Sequence, residues 1–200
     1  MELQHVNVKL LVKHLEEHGL EPLIQVFHSW IQDQGHGELL IDVADYRHVP
    51  AGPGVVLIGH EANYSLDHTG GRWGVRYNRK AVLEGTNQDR LTQAAQAALA
   101  ASQRLEMDPR LNGKIRLEGR EIEVFINDRL LAPNTEETRA AAEPEFRAFF
   151  SRLFGSSEFD LACPRDPRSL FSVRATASQP VSTLTLLNNL YSLASVADRN

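Results

Sequence analysis

The sequence predicts an α+β fold: a mostly antiparallel sheet built from hairpins, with helices packed on one face. Three observations carry this. Period-two alternation marks strands, as in 5–13, where Val6, Val8, Leu10 and Val12 alternate with Asn7, Lys9, Leu11 and Lys13, and only Leu11 breaks the pattern. Stripes at helical spacing mark the segments between strands, as in Leu23, Val26, Phe27, Trp30 and Ile31. Strand pairs joined by short Gly- and Pro-bearing turns fall between the helices, and hairpins make antiparallel neighbours.

The elements follow in order. The strand 5–13 turns at Gly19, and Pro22 opens a helix, where its missing N–H costs nothing. Gly35 and Gly37 end that helix. A strand over 38–43 is followed by a Pro/Gly turn at 50–54 and a strand over 55–64. The Gly-Gly turn at 67–71 returns the chain along 72–78 as a hairpin. Thr86 with Asp89 three residues on reads as a capping box before the Ala-rich helix 87–107, and Pro109 lies just past its end. Segments 114–117 and 121–127 flank Gly119 and read as a second hairpin. Thr135 caps a helix that carries Glu136 and Glu137 in its first turn. Phe146, Phe149, Phe150, Leu153 and Phe154 form its apolar face, and Gly155 stops it. Segments 158–163 and 170–176 read as a third hairpin. Ser182 caps a last helix whose apolar face is Leu184, Leu187, Leu190 and Leu193.

This layout is β-α-β-β-β, then α-β-β twice, then α. An internal α-β-β repeat is hinted at: a shift of 49 positions aligns YNRKAVLEGTNQDR (77–90) with INDRLLAPNTEETR (126–139). Shared capping chemistry at two strand-loop-helix joints explains the same match. The chain reads as one α+β domain over 1–200, with pseudo-repeat halves 1–85 and 86–200 as the alternative division. No linker-like stretch divides it.

Composition narrows the function classes. With 42% hydrophobic and 24% charged residues, a chain of 200 can bury a core without staples. Apolar runs such as 55–58 are far shorter than the ~20 residues of a membrane span. The start, MELQHVNVKL, lacks a basic region followed by an apolar one and predicts no secretory signal. Cys163 is the only cysteine, which excludes an intramolecular disulfide and suits a reducing compartment, so the expected location is cytoplasmic. The net charge of −5 and the scattered basic residues argue against nucleic acid as partner.

Candidate chemistry concentrates in 38–80, which holds three of the eight histidines and three of the four tyrosines. Asp45, Tyr46, Arg47 and His48 form a polar cluster after an apolar strand. As a general base, His48 or His60 would need Asp45 or Glu61 to orient it. Arg47 or Arg79 would hold an anionic group. The ligand-binding set is Tyr46, Arg47, His48, His60, Tyr64, Arg76 and Arg79. His48, His60 and His68 are weak metal candidates, because their spacing matches no ligand signature, and no cofactor is expected. His14-Leu15-Glu16-Glu17-His18 fits H-x-x-E-H, but it ends at Gly19 and reads as an exposed polar turn. The loop 49–55 is glycine-rich without a following helix, so it makes no phosphate cradle.

The run HGELLIDVADYRHVPAGPGVVLIGHEANYSLD, with YNRKA and INDRLLAPNT, resembles a family of conserved bacterial proteins of uncharacterised function, over about 6–171. The resemblance implies a bacterial, soluble, single-domain protein and no particular chemistry. The leading expectation is a non-catalytic cytoplasmic protein that binds a partner protein or a small ligand. The alternatives are a small hydrolase- or isomerase-type enzyme using a His/carboxylate pair within 42–79, and a subunit of a larger assembly, including a homo-oligomer paired through a sheet edge.

Overall fold

The computed structural model describes residues 1–15, 20–33 and 37–191. In chain order the elements are β1 (Val6–Leu15), α1 (Pro22–Asp33), β2 (Leu40–Tyr46), β3 (Gly54–Gly59), β4 (Ala62–Asp67) and β5 (Gly74–Arg79). Then come α2 (Asn87–Met107), β6 (Ile115–Ile126), α3 (Glu136–Phe154), β7 (Phe159–Ala162), β8 (Phe171–Ala177) and α4 (Thr183–Tyr191). The eight strands form one sheet in the order β2-β3-β4-β5-β1-β6-β8-β7. Every neighbouring pair is antiparallel. The α+β class and the antiparallel sheet are as the sequence predicts.

The helices begin where their caps require. The Thr86 side chain accepts from the Asp89 N–H while Asp89 accepts from the Thr86 N–H, which closes the capping box of α2. Thr135 caps α3, and Gly155 ends it in a left-handed conformation. The Ser182 hydroxyl accepts from the Thr185 N–H at the start of α4. Of the residues read as ending α1, Gly37 has a positive φ and Gly35 lies outside the described residues.

One face of the sheet carries the core. Val6, Val8 and Leu10 of β1 share a cluster with Val75 and Tyr77 of β5 and with Ile122, Val124 and Ile126 of β6. Leu23, Val26, Phe27 and Trp30 of α1 join it, as do Leu91, Ala94, Ala98 and Leu99 of α2. The phenylalanines of α3 reach β8 and β7, Phe146 edge-on against Phe171 and Phe150 tilted against Phe159. One sheet and one core cluster run through both halves, 1–85 and 86–200.

Three expectations need correction. Segment 55–64 is not one strand: the chain reverses at His60 and Glu61, so β3 and β4 pair with Ile58 opposite Asn63. Gly59 permits this, since a Cβ there would lie 2.5 Å from the Ala62 carbonyl oxygen. Segments 114–117 and 121–127 are not a hairpin. They are one strand, β6, which crosses Gly119 at φ +63° with a shift in its register on β1. The order between α2 and α3 is therefore a single strand. In α4 the buried face is Leu186, Leu187 and Leu190, with Leu184 exposed; Leu193 lies outside the described residues.

Gly119 marks where the chain leading into α4 closes on the sheet. An added Cβ there would meet the Val181 carbonyl oxygen at 1.8 Å. Gly119→Ala should lower stability by about 2 kcal/mol or more, read as a fall in the urea midpoint. Gly70→Ala also has a positive φ but meets open space, and should cost about 1 kcal/mol. Equal losses would mean that backbone conformation, not the contact with Val181, sets the cost.

Candidate functional site

The sheet face opposite the helices is polar. Successive side chains alternate between faces, so residues of one parity on each strand share this open face. Register assembles them into two cross-strand rows. One runs Ile58, Asn63, Asn78, Asn7, Phe125, Ser172; the other runs Val56, Ser65, Arg76, Lys9, Glu123, Arg174.

The centre of this face is buried although none of the described helices covers it. Asn7 is 0% exposed and Lys9 1%. Arg76 and Phe125 sit on the two strands that flank β1, and the Arg76 guanidinium lies 4.8 Å from the centre of the Phe125 ring. Their contact roofs β1. Beneath it, Lys9 Nζ donates to Asp67 at 2.7 Å and to the Thr69 carbonyl at 2.9 Å. Burial pulls the Lys9 ammonium below its ordinary pKa, and Asp67 opposes that pull. Asp67 also accepts from the Thr69 N–H and hydroxyl.

Several polar atoms here have no partner. The Oδ1 atoms of Asn7, Asn63 and Asn78 and the Nε of Arg76 are buried without a hydrogen bond. The nearest acid to Arg76 is Asp67, at 3.6 Å. Tyr46, Asn63, Ser65, Asp67, Arg76 and Asn78 line a depression of about 370 Å³, with Pro53, Val56 and Ile58 as its apolar wall.

The residues singled out in the sequence are dispersed. Tyr46 and Arg76 line the depression. Asp45 near the end of β2, with Arg47 and His48 in the loop after it, lines a separate hollow with Leu20 and Trp73. His60 and Glu61 form the β3–β4 turn. Tyr64 and Arg79 lie on the helix face. There the Tyr64 and Tyr77 hydroxyls each donate to Glu38 at 3.1 Å, and Gln93 donates to the Tyr77 oxygen. Burial, reinforced by Glu38, raises the Tyr64 hydroxyl well above its usual pKa, and burial pushes Tyr77 up to about 12. Arg79 is bound to Glu61 at 2.9 Å.

The metal trio is not brought together. The His60 N–H bonds Leu39 at one end of β4 and the His68 N–H bonds Gly52 at the other. A six-residue strand separates them by about 20 Å. His68 instead stacks on Trp73, ring centres 4.3 Å apart. Among the described residues no three His, Cys, Asp or Glu side chains are placed to hold a metal ion. Of the H-x-x-E-H segment, His14 and Leu15 are the last residues of β1, not a turn, and 16–18 lie outside the described residues, as does Gly19.

The His/carboxylate pairs are also not assembled. Asp45 binds Arg47 through the backbone N–H, Nε and Nη2, and no hydrogen bond joins it to His48. The same Asp-x-Arg clasp recurs at Asp108/Arg110 and Asp166/Arg168. Three copies at three unrelated loops identify it as a turn staple. Sequence reading missed Asn7, Lys9, Asn63, Asp67 and Asn78. Their signal was polar residues of one parity in three strands, but the register that unites them is not local.

Comparison with protein-family models and with curated proteins returned no match. Function therefore has to be read from the side chains themselves.

Two outcomes are expected. Asp67→Leu leaves Lys9 charged and buried, and should cost about 3–5 kcal/mol in urea unfolding. The double change Lys9→Met, Asp67→Leu should cost less than the single one; a larger loss would show that the pair is not the reason. Separately, Arg47's hydrogen bonds hold the Asp45 carboxyl down at about 2, against an ordinary 3.8. The folded value lies below the unfolded one, so this contribution is present above about pH 4 and lost as pH falls through the folded value. In Arg47→Gln, carboxyl NMR should return Asp45 towards its ordinary value, and an unmoved titration would remove Arg47 as the cause.

Proposed function

We propose that the protein is a non-catalytic cytoplasmic binding protein whose small ligand sits in the depression on the open face. The observation that carries this is the set of unpartnered polar atoms on its floor. A buried polar group without a hydrogen bond costs about 1–3 kcal/mol. Asn63, Asn78 and Arg76 line a space of small-molecule size, and each holds a buried polar atom without a hydrogen bond. The one acid lining it, Asp67, is engaged by Lys9 and Thr69, and no lining residue is His or Cys. That supports holding a ligand over reacting with it. A single cysteine in the chain fits the cytoplasmic placement.

The test is an NMR titration of the ¹⁵N-labelled full chain with a small-molecule extract of the source cells. Amide shifts should cluster on β4, β5 and the β1 residues beneath them. Shifts confined to the 45–48 loop or the His60–Glu61 turn, or none at all, would sink the placement.

A further inference from the structure

We infer that the ligand is a small carboxylic acid with an amino or hydroxyl group on its α carbon and an apolar side chain, its carboxylate received by Arg76. This rests on the binding reading above and names the chemistry of that site.

Arg76 is the odd arginine. Every other buried or half-buried arginine donates a hydrogen bond: Arg47 to Asp45, Arg79 to Ala81, Arg90 to Leu83 and Arg104 to Asp33, and likewise Arg139 to Asn134, Arg152 to Thr92 and Arg174 to Glu123. Arg76 is only 15% exposed, makes none, and has a buried unpartnered Nε. Its neighbouring acid, Asp67, holds Lys9 at 2.7 Å and lies 3.6 Å from Arg76, so one carboxylate here faces two cations. A guanidinium stacked on an aromatic ring keeps its N–H groups in the plane of the stack; with Nε buried, the two Nη atoms of Arg76 are the pair that matches a carboxylate with two parallel hydrogen bonds.

The rest of the floor fixes what stands beside the carboxylate. Asn78 is two residues from Arg76 on the same face, and Asn63 is its cross-strand partner. Both hold unpartnered oxygens. Carboxamides turn easily about their last torsion, so these oxygens can accept from an N–H or O–H on the carbon next to the carboxylate. The buried Asn7, with its own Oδ1 unpartnered, backs Asn78 on the next strand. Val56, Ile58 and Pro53 then face the side chain.

The experiment titrates leucine, its α-hydroxy counterpart, leucinamide and Gly-Gly-Leu into the ¹⁵N-labelled full chain. The first two should shift Ser65, Arg76 and Asn78 saturably, and leucinamide should not. Arg76→Gln should weaken leucine at least about tenfold, with part restored by Arg76→Lys. The leucinamide comparison uses the unaltered protein and stands even if a variant misfolds. Equal binding of leucine and leucinamide, or no shift with either acid, overturns the ligand class. Binding of Gly-Gly-Leu without leucine overturns the small acid in favour of a chain end. If the acids fail while the cell extract still shifts this face, the ligand class falls and the binding surface stands. Shifts elsewhere overturn both.

Discussion

The ion pair between Lys9 and Asp67 governs the middle of this sheet. Lys9 lies on the central strand and Asp67 two strands away, so the lysine stem must cross β5 to reach it. Gly74 makes the crossing possible. It stands opposite Asp67, and a Cβ there would lie 2.7 Å from Lys9 Cγ and Cε. Both charges are almost fully buried. Such a pair adds little net stability against an apolar substitute, but leaving one partner alone is costly. Strand identity is thereby fixed: β1, β5 and β4 cannot slip without stranding a charge.

The two faces of the sheet then divide the work. The helix face supplies stability, with Trp30, Phe27, Phe146, Phe149 and Phe150 at 1% exposure or less. The open face draws on that stability, because each buried unpartnered polar atom on it is a net cost. Edge strand β7 has four residues, and edge strand β2 carries Asp42, Asp45 and a register shift.

Local chemistry made much of this fold legible. Caps at Thr86, Thr135 and Ser182, Pro22 at a helix start and Gly155 at a helix end all act within a few residues, and all sit where the sequence places them. Two failures were failures of glycine reading. Gly59 lies before a two-residue turn with no Asn-Gly or Pro signal, and Gly119 bends a strand instead of reversing it. The errors cancel in number, so the strand total of eight was right for the wrong reason. The candidate site was half legible. Tyr46 and Arg76 were named, but the asparagine row exists only once β4, β5 and β1 are in register.

The residues that draw the eye in the sequence are, for the most part, residues whose chemistry is already used. Asp45 and Arg47 satisfy each other, Arg79 is held by Glu61, and the tyrosines of the helix face are held by Glu38. A group that is fully paired in the free protein must break that pairing before it can act on anything else. Arg76 escapes this because its nearest acid is taken. Lys9 reaches Asp67 at 2.7 Å and leaves Arg76 at 3.6 Å from it. The pair that fixes the register of the sheet is therefore also what leaves one guanidinium with only a loose ion pair and no hydrogen bond, pressed against Phe125 and lining the depression on the open face.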